Sequence, residues 1–230
     1  MPGARERGSS PRRFAALALI GILAAPGCLT YSSYQSAKIL ERGERRATVS
    51  VSGSSKAHDG SDYSSWIAFE GIARGGIARR VDGSIMLSVF RGMPDEWGAG
   101  VVTVDVRGGL VENYLACSLP VSITVGDLYL ASLRVQPGLI GTIPIGEKFE
   151  INGAIRAHVF VRTTEVFAVG YNVGLGITTP SGLWTIRPEL GWLRYTQSDE
   201  LDFSGSAYAQ YGVGIERHLQ KLHAAKEQGQ

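Results

Sequence analysis

Histidine and carboxylate spacings are where chemistry would have to come from. The chain has four histidines, at positions 58, 158, 218 and 223. His58 stands beside Asp59, with Asp62 close by, and a His–Asp pair can activate water. The flanking residues are glycine and serine, which supply no rigid scaffold, so this stretch reads as a solvated loop. His158 falls two residues from Arg156, a spacing that puts both on one face of a strand. It reads as a hydrogen-bonded filler beside a guanidinium. His218 and His223 lie in a polar tail, with no acidic or cysteine partner at ligand spacing, so no zinc site is expected. Asp199, Glu200 and Asp202 form an acidic loop tip that can at most hold a cation loosely. Gly174-Leu175-Gly176 and Gly212-Val213-Gly214 are not nucleotide loops, because no helix follows them. No catalytic residue, metal or cofactor is assigned, and the expectation is a protein that is not an enzyme.

The elements that position these residues follow period two. In 166–177, Phe167, Val169, Tyr171, Val173, Leu175 and Ile177 alternate with Ala168, Gly170, Asn172, Gly174 and Gly176. The same pattern runs through 46–53, 99–107, 115–125, 128–137, 151–161, 184–193 and 206–216, with noisier stretches near 64–74 and 83–91. Alternation over this length, punctuated by Gly, Pro, Asp and Asn, predicts strands. The set totals about ten, with eight possible, and an even number suits an antiparallel sheet whose ends meet.

Three features choose between the two faces. The polar face is small as well as polar, rich in Gly170, Gly174, Gly176, Gly191, Gly212, Gly214, Ser118 and Ser122; exposed glycine weakens a strand without return, whereas a narrow interior needs it. The five lysines all fall outside these runs, although surface strands commonly carry lysine to blunt their edges. The apolar face is bulky, with Trp66, Tyr129, Phe167, Tyr171, Trp184, Trp192 and Tyr211 near strand ends. The polar face would then look inward and carry a mixed charge network of Glu70, Arg74, Asp105, Arg107, Arg134, Arg156, His158, Arg187, Glu189 and Glu216. Phe167, Val169, Tyr171, Val173, Leu175, Trp184 and Trp192 would meet lipid. Arginines at 107, 134, 156 and 187 would favour anions if the lumen conducted. A salt-bridged filling that stiffens the wall is the reading preferred over an open pore.

The region from about 46 onward resembles small bacterial outer-membrane β-barrel proteins. That resemblance implies a closed antiparallel up-and-down transmembrane barrel, contact with membrane lipids and insertion by the barrel assembly machinery. Barrels of this kind often end in an aromatic residue read by that machinery, whereas this chain ends Glu-Gln-Gly-Gln.

Arg5, Arg7, Arg12 and Arg13 precede an apolar run from Phe14 to Ala25, followed by Pro-Gly and then Cys28. A basic start, a short apolar stretch and small residues define a secretory signal peptide; a spanning helix would need about 20 apolar residues. The cysteine after small residues resembles a bacterial lipobox, which implies cleavage before Cys28 and acylation of its thiol. The domain reading is therefore a signal peptide over 1–27, a tether over 28–45 with one short helical turn near 34–42, a barrel over 46–217 and a polar tail over 218–230. With Cys28 anchored on the periplasmic side, connections near 54–62, 92–97 and 196–204 lie outside the cell, and tighter ones near 75–82, 108–113, 144–149 and 179–182 lie in the periplasm. Cys117 is the one other cysteine, so no internal disulfide framework is available.

A formal charge of +2 points to no nucleic-acid partner. Two non-catalytic readings remain open. One is an outer-membrane lipoprotein barrel with a structural, adhesive or passive-transport role. The other is a lipid-tethered periplasmic soluble barrel that binds a hydrophobic ligand in its lumen, with the faces inverted.

Overall fold

A computed structural model describes residues 34–56, 65–93, 98–126, 129–161, 167–196 and 207–219. These form eleven strands: β1 (Arg45–Lys56), β2 (Ser65–Ala78), β3 (Val81–Met93), β4 (Gly98–Val111), β5 (Leu115–Gly126), β6 (Tyr129–Val135), β7 (Gly138–Ile145), β8 (Phe149–Phe160), β9 (Phe167–Thr178), β10 (Trp184–Thr196) and β11 (Ala207–Leu219). Apart from β6 and β7, which do not pair with each other, each pairs antiparallel with its neighbour in sequence, and β1 closes on β11, as in Val51 opposite Val213. The result is a closed up-and-down barrel, which leaves no sheet edge unpaired.

Strands β6 and β7 are two halves of one stave, since both lie between β5 and β8. The break falls at Gln136-Pro137, where proline has no amide to give to the ladder. The barrel therefore has ten staves. Most strands run longer than the stretches read from the alternation, reaching 14 residues in β2. The stretch 75–82, expected to be a connection, is mostly strand, and its turn is confined to Arg79-Arg80. Lys56 also falls within a strand, at the end of β1. The described turns, at 79–80, 112–114, 146–148 and 179–183, share one end of the barrel with Arg45 and Leu219. Asn113, Gly146 and Gly182 adopt positive φ there. The connections at the opposite end, including His58, Asp59, Asp62, Asp199, Glu200 and Asp202, lie outside the described residues.

Burial settles which way the faces point. In β4, Val101, Thr103, Asp105 and Arg107 are buried, while Val102, Val104 and Val106 are exposed. The outer surface carries Val49, Phe69, Val89, Val125 and Ile143, each more than 60% exposed. Soluble monomers rarely present apolar patches beyond a few hundred Å², and here the apolar surface girdles the whole cylinder. A bilayer removes that surface from water, and closure satisfies the backbone without water. The inverted reading, a soluble barrel with a greasy lumen, is thereby corrected. Val173 and Leu175 point outward and Asn172 inward.

The interior is not filled by the wall alone. Residues 34–44 were read as tether with a helical turn, but the structure has no helix there, and Tyr34, Gln35, Ser36, Ala37 and Leu40 are buried within the barrel. The segment descends toward the turn end and reverses into β1 through a tight turn, closed by Glu44 N donating to Glu41 O at 2.9 Å. Gly43 has φ +84 at the third position of that turn, which is where such a turn requires glycine. The turn rests on β2, whose Gly76 N donates to Glu44 O at 3.0 Å. A Cβ on Gly76 would fall 1.9 Å from Glu41 O, so glycine alone permits the approach.

Candidate functional site

The site is the contact between the barrel's inner wall and the segment 34–40. An extended segment inside a closed sheet cannot join the wall's ladder, so its N–H and C=O groups need side-chain partners or stay unsatisfied at a cost of about 1–3 kcal/mol each. Five of them find partners. Tyr34 N donates to Glu189 Oε2 at 2.7 Å, Ala37 N to Thr142 Oγ1 at 2.7 Å and Leu40 N to Asp82 Oδ2 at 2.8 Å. Ser36 O accepts from Arg107 Nη1 at 3.1 Å, and Lys38 O accepts from Arg74 Nη2. The wall also makes room. A Cβ on Gly214 would lie 3.0 Å from the Tyr34 ring, and one on Gly212 would overlap the Tyr34 hydroxyl. These two glycines form a slot for the tyrosine.

Asp82 is the hub. It is fully buried and accepts from Arg107 Nε at 2.8 Å, Arg107 Nη2 at 2.9 Å and Arg74 Nε at 3.1 Å as well as from Leu40. A second cluster centres on Glu216, which meets Arg46 Nη1 at 3.0 Å, Arg187 Nη2 at 3.1 Å and His218 Nε2 at 3.2 Å. Arg187 also pairs with Glu150, and Arg46 with Glu44 at 2.9 Å. Burial alone would raise the Glu44 carboxyl, but the hydrogen bond and charge of Arg46 hold it below its ordinary range. Elsewhere on the inner face, Glu70 accepts from Ser50 Oγ at 2.9 Å, and Asp105 accepts from Ser118 Oγ at 3.0 Å and Leu119 N at 3.1 Å. Buried charges tied by several hydrogen bonds stiffen a wall, because each charge would be costly alone.

The ten charged positions singled out in the sequence all lie on the inner face and are buried. The structure divides them. Arg74 and Arg107 join Asp82, Arg187 joins Glu216, and Glu189 holds the segment. Arg134, Arg156 and His158 belong to neither cluster; Arg134 lies opposite Phe160 at the end of β8, the strand that carries the other two. Of the lipid-side positions, Tyr171, Val173, Leu175 and Trp184 are exposed on the outer face, and Val169 and Trp192 are half-buried there. Tyr171 and Trp192 stack with centroids 5.6 Å apart, and Arg217 lies 5.3 Å from the Trp184 ring centroid. The Phe167 side chain and Cys28 lie outside the described residues. Trp66 departs from its expected place. It shares the parity of Glu70 and Arg74, points inward and meets Phe90 edge-on at 5.4 Å. His218 also departs, since it belongs to β11 and touches a carboxylate.

Sequence reasoning missed Asp82, Arg46, Glu44, Glu150 and the inserted segment. Arg46 was within reach, because it shares the parity of Thr48 and Ser50. Asp82 was taken for turn, and the segment has no periodicity to betray it. Among the described residues no group of three or more His, Cys, Asp or Glu side chains is placed to hold a metal ion.

No family model matches the chain, and no curated protein does. Solved structures do match. An outer membrane channel from Pseudomonas putida F1 aligns at 12% identity and TM-score 0.46, covering 83% of this chain and 100% of that one. The translocator domain of the autotransporter NalP from Neisseria meningitidis aligns at 7% identity and TM-score 0.44, covering 90% and 97%. The outer membrane protease OmpT from Escherichia coli aligns at 12% identity and TM-score 0.39, covering 80% and 100%. At these values the likeness is one of barrel architecture, and the fold rests on this chain's own pairing and burial. The protease corrects one expectation: a barrel of this kind is not non-enzymatic by virtue of its fold, so the absence of enzymatic activity does not stand.

Proposed function

We propose that the protein is an outer-membrane barrel lipoprotein, anchored through Cys28, that serves as a passive conduit held shut by its own residues 34–44. The observation that carries this reading is the backbone-directed grip on that segment. A wall meant only to be rigid can fill its lumen with side chains, as narrow barrels do. Here a length of chain fills it instead, its amides donating to Asp82, Thr142 and Glu189 and its carbonyls accepting from Arg74 and Arg107. Such contacts can break and re-form without disturbing the sheet. The arginines would bias the vacated lumen toward anions.

Planar-bilayer recording tests it. The intact chain is expected to show no sustained conductance, and a variant lacking residues 34–40 is expected to show discrete, anion-preferring steps. A folded deletion variant that stays silent would overturn the conduit and leave the structural or adhesive reading. Metabolic labelling with palmitate, lost in Cys28→Ser, tests the anchor separately.

A further inference from the structure

The loop-side half of the lumen contains a further group of polar and charged side chains. Arg134 and Gln136 come from the stave of β6, and Arg156 and His158 come from β8. All four are buried, His158 completely. Gln136, with its amide oxygen turned toward Arg134, accepts from Nε at 2.8 Å and Nη2 at 3.0 Å. The charges of Arg134 and Arg156 both act on the His158 ring.

The rest of the lumen pairs its cations. Arg74 and Arg107 share Asp82, and Arg46 and Arg187 share Glu216. Arg156 has no such partner among the described residues. The carboxylate that acts on it is Asp105, whose oxygens already accept from Ser118 and from the Leu119 amide. Both ring nitrogens of His158 and the Nε of Arg156 are buried without a hydrogen-bond partner. The adjoining wall is small, with β9 placing Ala168 opposite His158 and Gly170 opposite Arg156. Gly138 opens the other side, where a Cβ would lie 2.5 Å from Arg156 Cγ.

A buried guanidinium whose Nε has no acceptor and an imidazole with both nitrogens idle are each costly in a low-dielectric interior. One group cancels both costs: a small oxyanion. It accepts from the planar Arg156 fork and from an N–H of His158. We infer that Arg156 and His158, backed by Arg134 and Gln136, form a binding site for a carboxylate- or phosphate-bearing anion near the loop-side mouth. This goes beyond the conduit reading, since the site stands whether or not residues 34–44 ever leave.

The test uses the full-length protein in detergent micelles, titrated with inorganic phosphate, sodium acetate or sodium chloride at one ionic strength. The readout is the ring nitrogen resonances of His158, assigned by their loss in His158→Asn. Phosphate or acetate is expected to shift them saturably, and which of the two acts identifies the oxyanion. Arg156→Gln is expected to weaken that binding at least tenfold. Arg156→Lys, which keeps the charge but not the fork, is expected to weaken it less, and it carries the test if Arg156→Gln does not fold. A shift that chloride reproduces, a shift that never saturates, or undiminished binding in the folded arginine variants would each overturn the site and leave its nitrogens to water.

Discussion

Replacing Asp82 with alanine puts the grip on the inserted segment to a quantitative test. The change removes one fully buried carboxylate that serves three partners, Arg74, Arg107 and the Leu40 amide. Stripping one partner from a buried ion pair costs about 3–5 kcal/mol, because the remaining charge is left uncompensated. Summing a separate value for every bond would overshoot, since guanidiniums relax together, so about 3–5 kcal/mol is the expected total. The segment feels part of it. The Leu40 amide loses a charge-assisted bond worth about 1.5–3 kcal/mol, and Arg74 and Arg107 lose the anchor that aims them at Lys38 O and Ser36 O. At about 1.4 kcal/mol per tenfold, docking of the segment should weaken about 10- to 140-fold. Hydrogen exchange of the refolded protein in micelles reads this directly. Protection at Leu40 and Ala37 should fall by that factor, while amides of β9, remote from Asp82, keep theirs. Unchanged protection at Leu40 in a folded variant would refute the reasoning, and so would a uniform loss across the barrel.

Three further outcomes follow from named contacts. Gly214→Val should displace Tyr34, since even a Cβ there approaches the ring to 3.0 Å; solvent accessibility at position 37 should rise, and the added Tyr34→Ala should restore it. Val173→Arg puts a cation on the outward face midway along β9 and should cost about 2–4 kcal/mol in lipid vesicles, read as a lower urea midpoint with folding intact in water-exposed turns. Acid should loosen the turn at 41–44. The folded Glu44 carboxyl sits below its ordinary 4.5, so its contribution is present above that value and is lost as pH falls through the lower folded one. The difference in exchange at this turn between wild type and Glu44→Gln should therefore be full at neutral pH, begin to shrink as pH falls below about 4.5 and vanish once pH is below the lower folded value.

The fold was legible where one physical constraint acted on many residues at once. From Phe167 to Ile177 every second residue is bulky and apolar and every other one is small or polar, which declares two faces. The glycines at 170, 174, 176, 212 and 214 indicate which face is cramped. Legibility failed where the constraint was not periodic. Gly75-Gly76 and Arg79-Arg80 look like one long turn, although β2 and β3 run almost to the two arginines and place Asp82 opposite Arg107. Trp66 looks like a girdle residue by type, and only its parity with Glu70 and Arg74 shows that it faces inward. The inserted segment was hidden most deeply. Its partners lie 42, 105 and 155 positions away for Leu40, Ala37 and Tyr34, and none of these contacts leaves a local pattern in residues 34–44. The Asp82 site was half visible for the same reason: its arginines sit in regular strands, and its hub and its guest do not.

Occupancy of the lumen by the chain's own residues is the claim on which the conduit reading depends, and a disulfide can report it. The Cβ of Tyr34 lies 3.1 Å from the position a Cβ on Gly214 would take, and bridged cysteines have Cβ atoms about 3.5–4.5 Å apart. In a background with Cys28 and Cys117 changed to serine, the pair Tyr34→Cys and Gly214→Cys should oxidise rapidly and nearly completely in the membrane-inserted, folded protein. Two thiols that stay free under the same mild oxidant, in a barrel shown to be folded by its heat-modifiable gel mobility, would place the segment outside and contradict the account.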